Sequence, residues 1–165
     1  SMLPDGIAVL EAKVVPDDFH PRHSPHVKTY RYRILTREAR SPLRHDRCWH
    51  LRRDLDVERM AEAGRLLVGT HDFSSFRASS CSAEVPIRTV QALRVLQVDQ
   101  EVHIELEGTG FLQYMVRIIV GSLVEVGAGR KPVSWLRSVR DQRDRRLAGR
   151  TAPAAGLILR GIEYQ

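Results

Sequence analysis

Sixteen consecutive residues, 111–126 (FLQYMVRIIVGSLVEV), constrain this chain more than any other stretch: eleven are apolar, and Gly127 and Gly129 follow at once. At helical pitch Gln113, Arg117, Gly121 and Glu125 recur every four residues and make one slowly drifting polar seam. Met115, Ile118, Ile119 and Leu123 fill the rest of the circumference, so most of this helix wants burial. Arg117 stands mid-seam with no carboxylate within i±4 reach on its own helix. Two readings follow. If the seam is covered, an unpaired guanidinium is costly and must meet an anion elsewhere in the fold or on a partner. If the seam faces water, Arg117 is a solvated surface charge.

The rest of the composition narrows the classes. A chain of 165 residues is long enough for one domain with a proper core. A net charge of +6 and a pI of about 9.9 favour a polyanionic partner, most simply nucleic acid. Cys48 and Cys81 are far apart and make no CxxC, which argues against a zinc ribbon or a disulfide framework and fits a reducing cytoplasm. The apolar helix is too short to span a bilayer and carries two charges, so no membrane association is expected; no signal peptide is visible. Ser1 and Met2 read as an expression scar, leaving 3–165 as one α+β domain.

Periodicity and punctuation place the elements. Residues 6–15 (GIAVLEAKVV) read as a strand between Asp5-Gly6 and Pro16-Asp17. A proline-rich loop leads to a second strand, 29–35, with Tyr30, Tyr32 and Ile34 on one face and Arg31 and Arg33 on the other. A basic turn, 41–47, precedes a short strand at 48–51. Asp54 or Asp56 caps a helix through Val68, with Val57, Met60, Ala61, Leu67 and Val68 as its core face and Gly69 as its stop. Residues 70–86 read as a loop. Strands at 88–98 and 102–107 follow, then the apolar helix, a polar helix near 133–147 and a closing strand at 157–164. That order predicts a mainly antiparallel sheet with helices packed on it.

Several stretches have the composition for chemistry. Between Phe19 and His45 lie seven Lys or Arg residues and one acid, Glu38, interleaved with Tyr30 and Tyr32. Cations beside aromatic rings suit flipped-out or single-stranded RNA, where a ring stacks on a base; the same pattern also suits a strand with core tyrosines and solvated arginines. His20, His23 and His26 recur every third residue, yet the loop lacks cysteine, and phosphate contact or simple exposure explains them better than a metal. Arg137, Arg140, Arg143, Arg145, Arg146 and Arg150 against Asp141 and Asp144 make the late helix basic, either as a solvated face or as a phosphate-tracking surface. No GxSxG, Walker loop, HExxH or glycine-rich dinucleotide turn occurs, and nothing positions a third member for a Cys81–His71 pair. No enzyme follows from these residues alone.

Six ordered runs add a resemblance: DFHPRHS at 18–24, TYRYRI at 29–34, GTHDFSSFRASSC at 69–81, PIRTV at 86–90, GTGFLQYMVRIIVGSLVEVGAGR at 108–130 and RDRRLAGRTAPAAGLIL at 143–159. Together they resemble the C-terminal half of the bacterial tRNA pseudouridine synthase A (TruA) family, from Leu3 to Tyr164. The resemblance implies the pseudouridine synthase catalytic fold, tRNA as partner with uridines of the anticodon stem-loop as substrate, a homodimer in the intact protein, and neither cofactor nor metal. It also implies a site shared between two halves. An aspartate of the N-terminal half attacks the nucleotide, and Arg117 pairs with that aspartate. Tyr30 packs against the target base. Arg22, Arg31 and Arg88 are expected as structural or RNA contacts and Gln113 as an RNA contact, and Phe73 and Phe76 pack while His71 and Asp72 cap or brace a loop.

Two departures stand out. No GRTDAGVHA-like run carrying the nucleophile occurs, so this chain is expected to be inactive alone, or to be a non-catalytic RNA-binding module. Gln113-Tyr114 stands where relatives often carry histidines, and Arg150 where they commonly carry proline.

Overall fold

The structure is a computed structural model that describes residues 3–21 and 25–164. Its sheet is organised on strand β1 (Pro25–Thr36). Alternation along that strand buries Tyr32 and Ile34 fully, leaves Tyr30 half-buried on the same face, and turns Arg31 and Arg33 to the other. One edge of β1 pairs antiparallel with β5 (Glu101–Gly108). The other edge is shared end to end by β6 (Leu157–Tyr164), antiparallel, and β2 (Trp49–Leu51), parallel. Beyond β5 lie β4 (Ile87–Val98) and β3 (Gly69–Asp72), giving the order β2-β1-β5-β4-β3 with β6 beside β1. Every pairing except β1–β2 is antiparallel, so the fold is the α+β arrangement expected from the order of elements.

Helices cover one face. α1 (Val57–Arg65) starts at Asp56, whose carboxylate accepts the Arg59 N–H at 2.9 Å. It seats Met60 and Ala63 in the core, and Gly64 lets it press on the Leu93 side chain of β4. α2 (Met115–Gly127) is buried almost all round, as its composition requires, and joins Met60, Ile104 and Leu106 in one cluster. α3 (Trp135–Gln142) contributes Leu136 and Val139.

Four sequence-based expectations change. Residues 6–15 form no strand; Leu10 and Val14 are 96% and 102% exposed, and among the described residues no strand runs beside them. β-branched composition cannot make a strand without a ladder partner. α1 ends at Arg65, and Val68, expected in the core, is exposed. The 70–86 loop contains β3, paired with β4 through His71–Arg88, and a 3₁₀ turn (Ser74–Phe76). The two late helices are shorter than their patterns: α2 starts after Tyr114 and α3 stops before Arg143, both in the left-handed region (φ 61° and 54°). Phe73 and Phe76 pack in the core, and His71 and Asp72 brace the loop through the Val68 carbonyl and the Ser74 N–H.

The seam of α2 is covered. The chain after the Arg145–Leu147 turn crosses it as a strap, residues 149–153, whose Arg150 carbonyl rests on Gly121 where any Cβ would collide with it. Gly149 closes against Ser122 and donates its N–H to Ser122 Oγ at 2.9 Å. Gly121→Ala is therefore expected to destabilise the fold by about 3 kcal/mol in urea unfolding, whereas Gly161→Ala, with open space around it, changes stability by less than about 0.5 kcal/mol. Equal stabilities for the two variants would show that the strap does not seat on the helix.

Candidate active site

The site begins where β5 ends. Gly108 lies so close to the Thr89 carbonyl of β4 that a Cβ would strike it, and residues 109–114 then run without helical pitch to the start of α2. The Ala78 N–H holds this segment through the Gln113 carbonyl at 3.0 Å. Phe111 meets the Tyr30 ring edge-on, centroids 5.3 Å apart at 89°. Beside this pair opens a cavity of about 350 Å³ lined by Tyr30, Phe111, Gln113, Tyr114, Arg117 and Leu157, among others.

Arg117 is fixed on one wall. Its Nε donates to the Ala152 carbonyl at 2.6 Å, and its own carbonyl accepts the Ala152 N–H at 3.0 Å. The Tyr114 ring lies 4.7 Å from the guanidinium carbon. Among the described residues no carboxylate pairs with it. Of the two readings open to the sequence, the covered seam is the one that the fold adopts. Arg117 is half-buried, and among the described residues its charge has no counter-ion.

The strap that holds Arg117 is itself held. Pro153 offers its carbonyl to the Tyr32 hydroxyl at 2.6 Å. Burial pushes the Tyr32 phenol above its ordinary range, against a smaller opposing effect of Arg117, so it remains a neutral donor. Arg145 donates to the Gly149 carbonyl (3.0 Å) and to Thr151 Oγ1 (3.1 Å). Arg150, where proline is common in relatives, lays its guanidinium over the Trp49 ring at 4.6 Å. None of these strap contacts follows from the periodicity of the sequence. Their trace is the pairing of Gly121 and Gly149 with the TAP run, which marks two backbones in close approach.

A protein-family model described as tRNA pseudouridine synthase matches residues 63–165. The chain belongs to that family. Curated relatives called tRNA pseudouridine synthase A are similar along nearly its whole length. The protein of Syntrophotalea carbinolica is 45% identical over 162 residues, 98% of this chain and 64% of that protein. That of Myxococcus xanthus is 44% identical over 165 residues, 99% of this chain and 62% of its own length. That of Pasteurella multocida is 44% identical over 162 residues, covering 98% and 61%. The chain thus spans a little under two thirds of the length of these synthases.

Within this synthase fold the other candidate residues scatter. Gln113 is exposed at the cavity and accepts from the Ser80 hydroxyl at 3.1 Å. Arg31 stands on the opposite sheet face, its terminal nitrogen 2.6 Å from Glu105. Arg88 turns to the carbonyls of Val85 (2.9 Å) and Ile87 (2.6 Å) and does not line the cavity. Arg22 and His23 lie outside the described residues. His71 meets the Val68 carbonyl (2.9 Å) and Arg140 (3.3 Å), while Cys81 belongs to the turn after Ala78, so no pair forms between them. Much of the late basic run is engaged: Arg140 with Asp141, Arg143 with Asp72, Arg146 with Asp144. Among the described residues no group of three His, Cys, Asp or Glu could hold a metal ion, and no helix is long and apolar enough to cross a membrane.

The face bearing Arg31 is a closed ionic network. Glu101, buried, receives Arg33 (2.8 Å), Arg44 (2.9 Å) and His103 (2.8 Å). Burial alone would raise its carboxyl, but the hydrogen bonds and charges of these neighbours outweigh it and hold the group at about 2, against an ordinary 4.5. A depressed folded value stabilises above the unfolded one and is lost on acidification. About 3 kcal/mol, present above pH 4.5, should disappear as pH falls toward 2. Urea unfolding across that window should show the loss, and Glu101→Gln should lack it; an unchanged acid limb in that variant would remove Glu101 from the account.

Proposed function

We propose that this chain is the C-terminal, base-orienting half of a tRNA pseudouridine synthase acting on uridines of the anticodon stem-loop. The observation that carries the reading is the anchored guanidinium of Arg117, facing the same cavity as the Tyr30 ring with no acid paired to it among the described residues. A flipped uracil enters the cavity and packs against Tyr30. An aspartate from a segment outside these residues attacks the nucleotide, the glycosidic bond breaks and the uracil turns; its C5 bonds to the ribose as the aspartate is released, and the C5 hydrogen leaves as a proton while N1 takes one up. Arg117 keeps that aspartate ionised and aimed, since an opposite charge within a few ångströms lowers a carboxyl pKa and a fixed partner orients it. Neither metal nor cofactor takes part. The net charge of +6 suits a tRNA ligand, and the intact enzyme works as a cytoplasmic homodimer.

The assignment is tested by tritium release from a tRNA transcript labelled at uracil C5. The chain as it stands is expected to release none. Joined to the further third of sequence that its relatives carry, it is expected to turn over, and Arg117→Ala then lowers kcat about 10²–10³-fold. Arg117→Lys restores little, because an ammonium cannot reproduce the Nε–H to Ala152 while facing an anion. Turnover by the chain alone would defeat the view that the nucleophile lies elsewhere.

A further inference from the structure

Tyr114 occupies a place that local physics would give to another residue. Its backbone is left-handed, φ 61° and ψ 5°, a conformation that glycine or asparagine enters readily and an aromatic residue only at a penalty. It is the N-cap of α2, yet its side chain makes no capping hydrogen bond. Burial does not compensate either, since the residue is 47% exposed. Strain of this kind persists where the surroundings impose it and clusters at functional sites.

Among the described residues the ring's polar partner is the Arg117 guanidinium, one helical turn on and 4.7 Å from the centroid. The turn is closed on both sides, by Met115 N–H to the Leu112 carbonyl (3.0 Å) and Ile118 N–H to the Tyr114 carbonyl (2.9 Å), so the ring is held over the first turn of α2. The guanidinium is then limited in two independent ways. The Ala152 carbonyl takes its Nε edge at 2.6 Å, and its central carbon lies over the Tyr114 ring, 4.7 Å from the centroid. A long, flexible side chain otherwise keeps several rotamers.

We infer that Tyr114 is a positioning residue: it clamps the face of Arg117 so that the terminal nitrogens stay aimed across the cavity at the incoming carboxylate. The inference rests on the reading of Arg117 given above, and deepens it by naming the group that gives the guanidinium its orientation. Cation–π contact supplies the attraction, and the left-handed turn brings the ring into place. Glycine or asparagine would relieve the backbone, but neither presents a ring to a guanidinium.

Two measurements test this separately from the proposed function. In the intact synthase, Tyr114→Leu is expected to lower kcat about 10–100-fold while KM for tRNA stays within about twofold, the mark of lost orientation rather than lost binding. Tyr114→Phe keeps the ring and most of the activity. Tyr114→Gly relieves the backbone and lacks the ring, so its Tm should be equal or higher while kcat falls as in the leucine variant. A merely structural tyrosine would lower Tm and leave kcat, and an RNA-contacting one would raise KM alone; either result overturns the inference. The second measurement needs no turnover. In ¹⁵N spectra of this chain, the Arg117 Nε–H should carry a ring-current shift that Tyr114→Leu removes and Tyr114→Phe preserves. If the resonance does not move in the leucine variant, the clamp is absent, whatever activity the intact protein has; if the clamp is present and the intact protein is inactive, it is the synthase assignment that fails.

Discussion

The pair of hydrogen bonds between Arg117 and Ala152 joins the two parts of this molecule that matter most to each other. One runs from Arg117 Nε to the Ala152 carbonyl and the other from the Ala152 N–H to the Arg117 carbonyl. Together they fix a charged side chain on a buried helix and fix the strap that hides the helix seam. Without the strap the seam would face water and the guanidinium would be one more mobile surface charge. Without the guanidinium the strap would lose its central anchor. The close approach is possible because Gly121 and Gly149 leave no side chain between the two backbones.

The sheet divides its chemistry by face. Residues of one parity along β1 and β5, with Leu93 and Val95 of β4, make a dry core under the helices. The other parity carries Arg31, Arg33, Glu101, His103 and Glu105, which satisfy one another. The same alternation thus yields opposite outcomes for cations that look equivalent in the sequence. Arg31 and Arg33 are neutralised within the fold, while Arg117 is left with a charge to offer. An arginine's availability to a ligand depends on which acids the fold places beside it, and the register of β1 against β5 decides that for the first two.

The exposed aliphatic residues near the start of the chain follow the same logic of partners. Ile7, Val9, Leu10 and Val14 have the composition of a strand and the exposure of a loop. The chain spans under two thirds of its Syntrophotalea, Myxococcus and Pasteurella relatives. β-composition is a preference for a pleated, half-buried surface, and it is realised only where a neighbouring strand provides one.

Local pattern was enough for much of this protein. The alternation at 29–35 marked β1 and its two faces, Asp54 or Asp56 marked the start of α1, and the apolar run at 111–126 marked a helix bound for the core. Each signal is carried by residues within a turn or two of one another. The composition of that helix also showed that no acid on it can reach Arg117, so that a covered seam would leave the guanidinium in need of a counter-charge. Tertiary structure alone decided where the helix begins, since the left-handed turn at Tyr114, with Met115 N–H on the Leu112 carbonyl and the ring beside Arg117, is not one that propensity favours. It also decided that the seam is covered, that Tyr30 and Arg117 share a cavity, and that Arg31 and Arg88 do not line it. The covering of the seam depends on Arg117 and Ala152, thirty-five positions apart, meeting through backbone carbonyls, and a carbonyl leaves no mark of its own in a sequence.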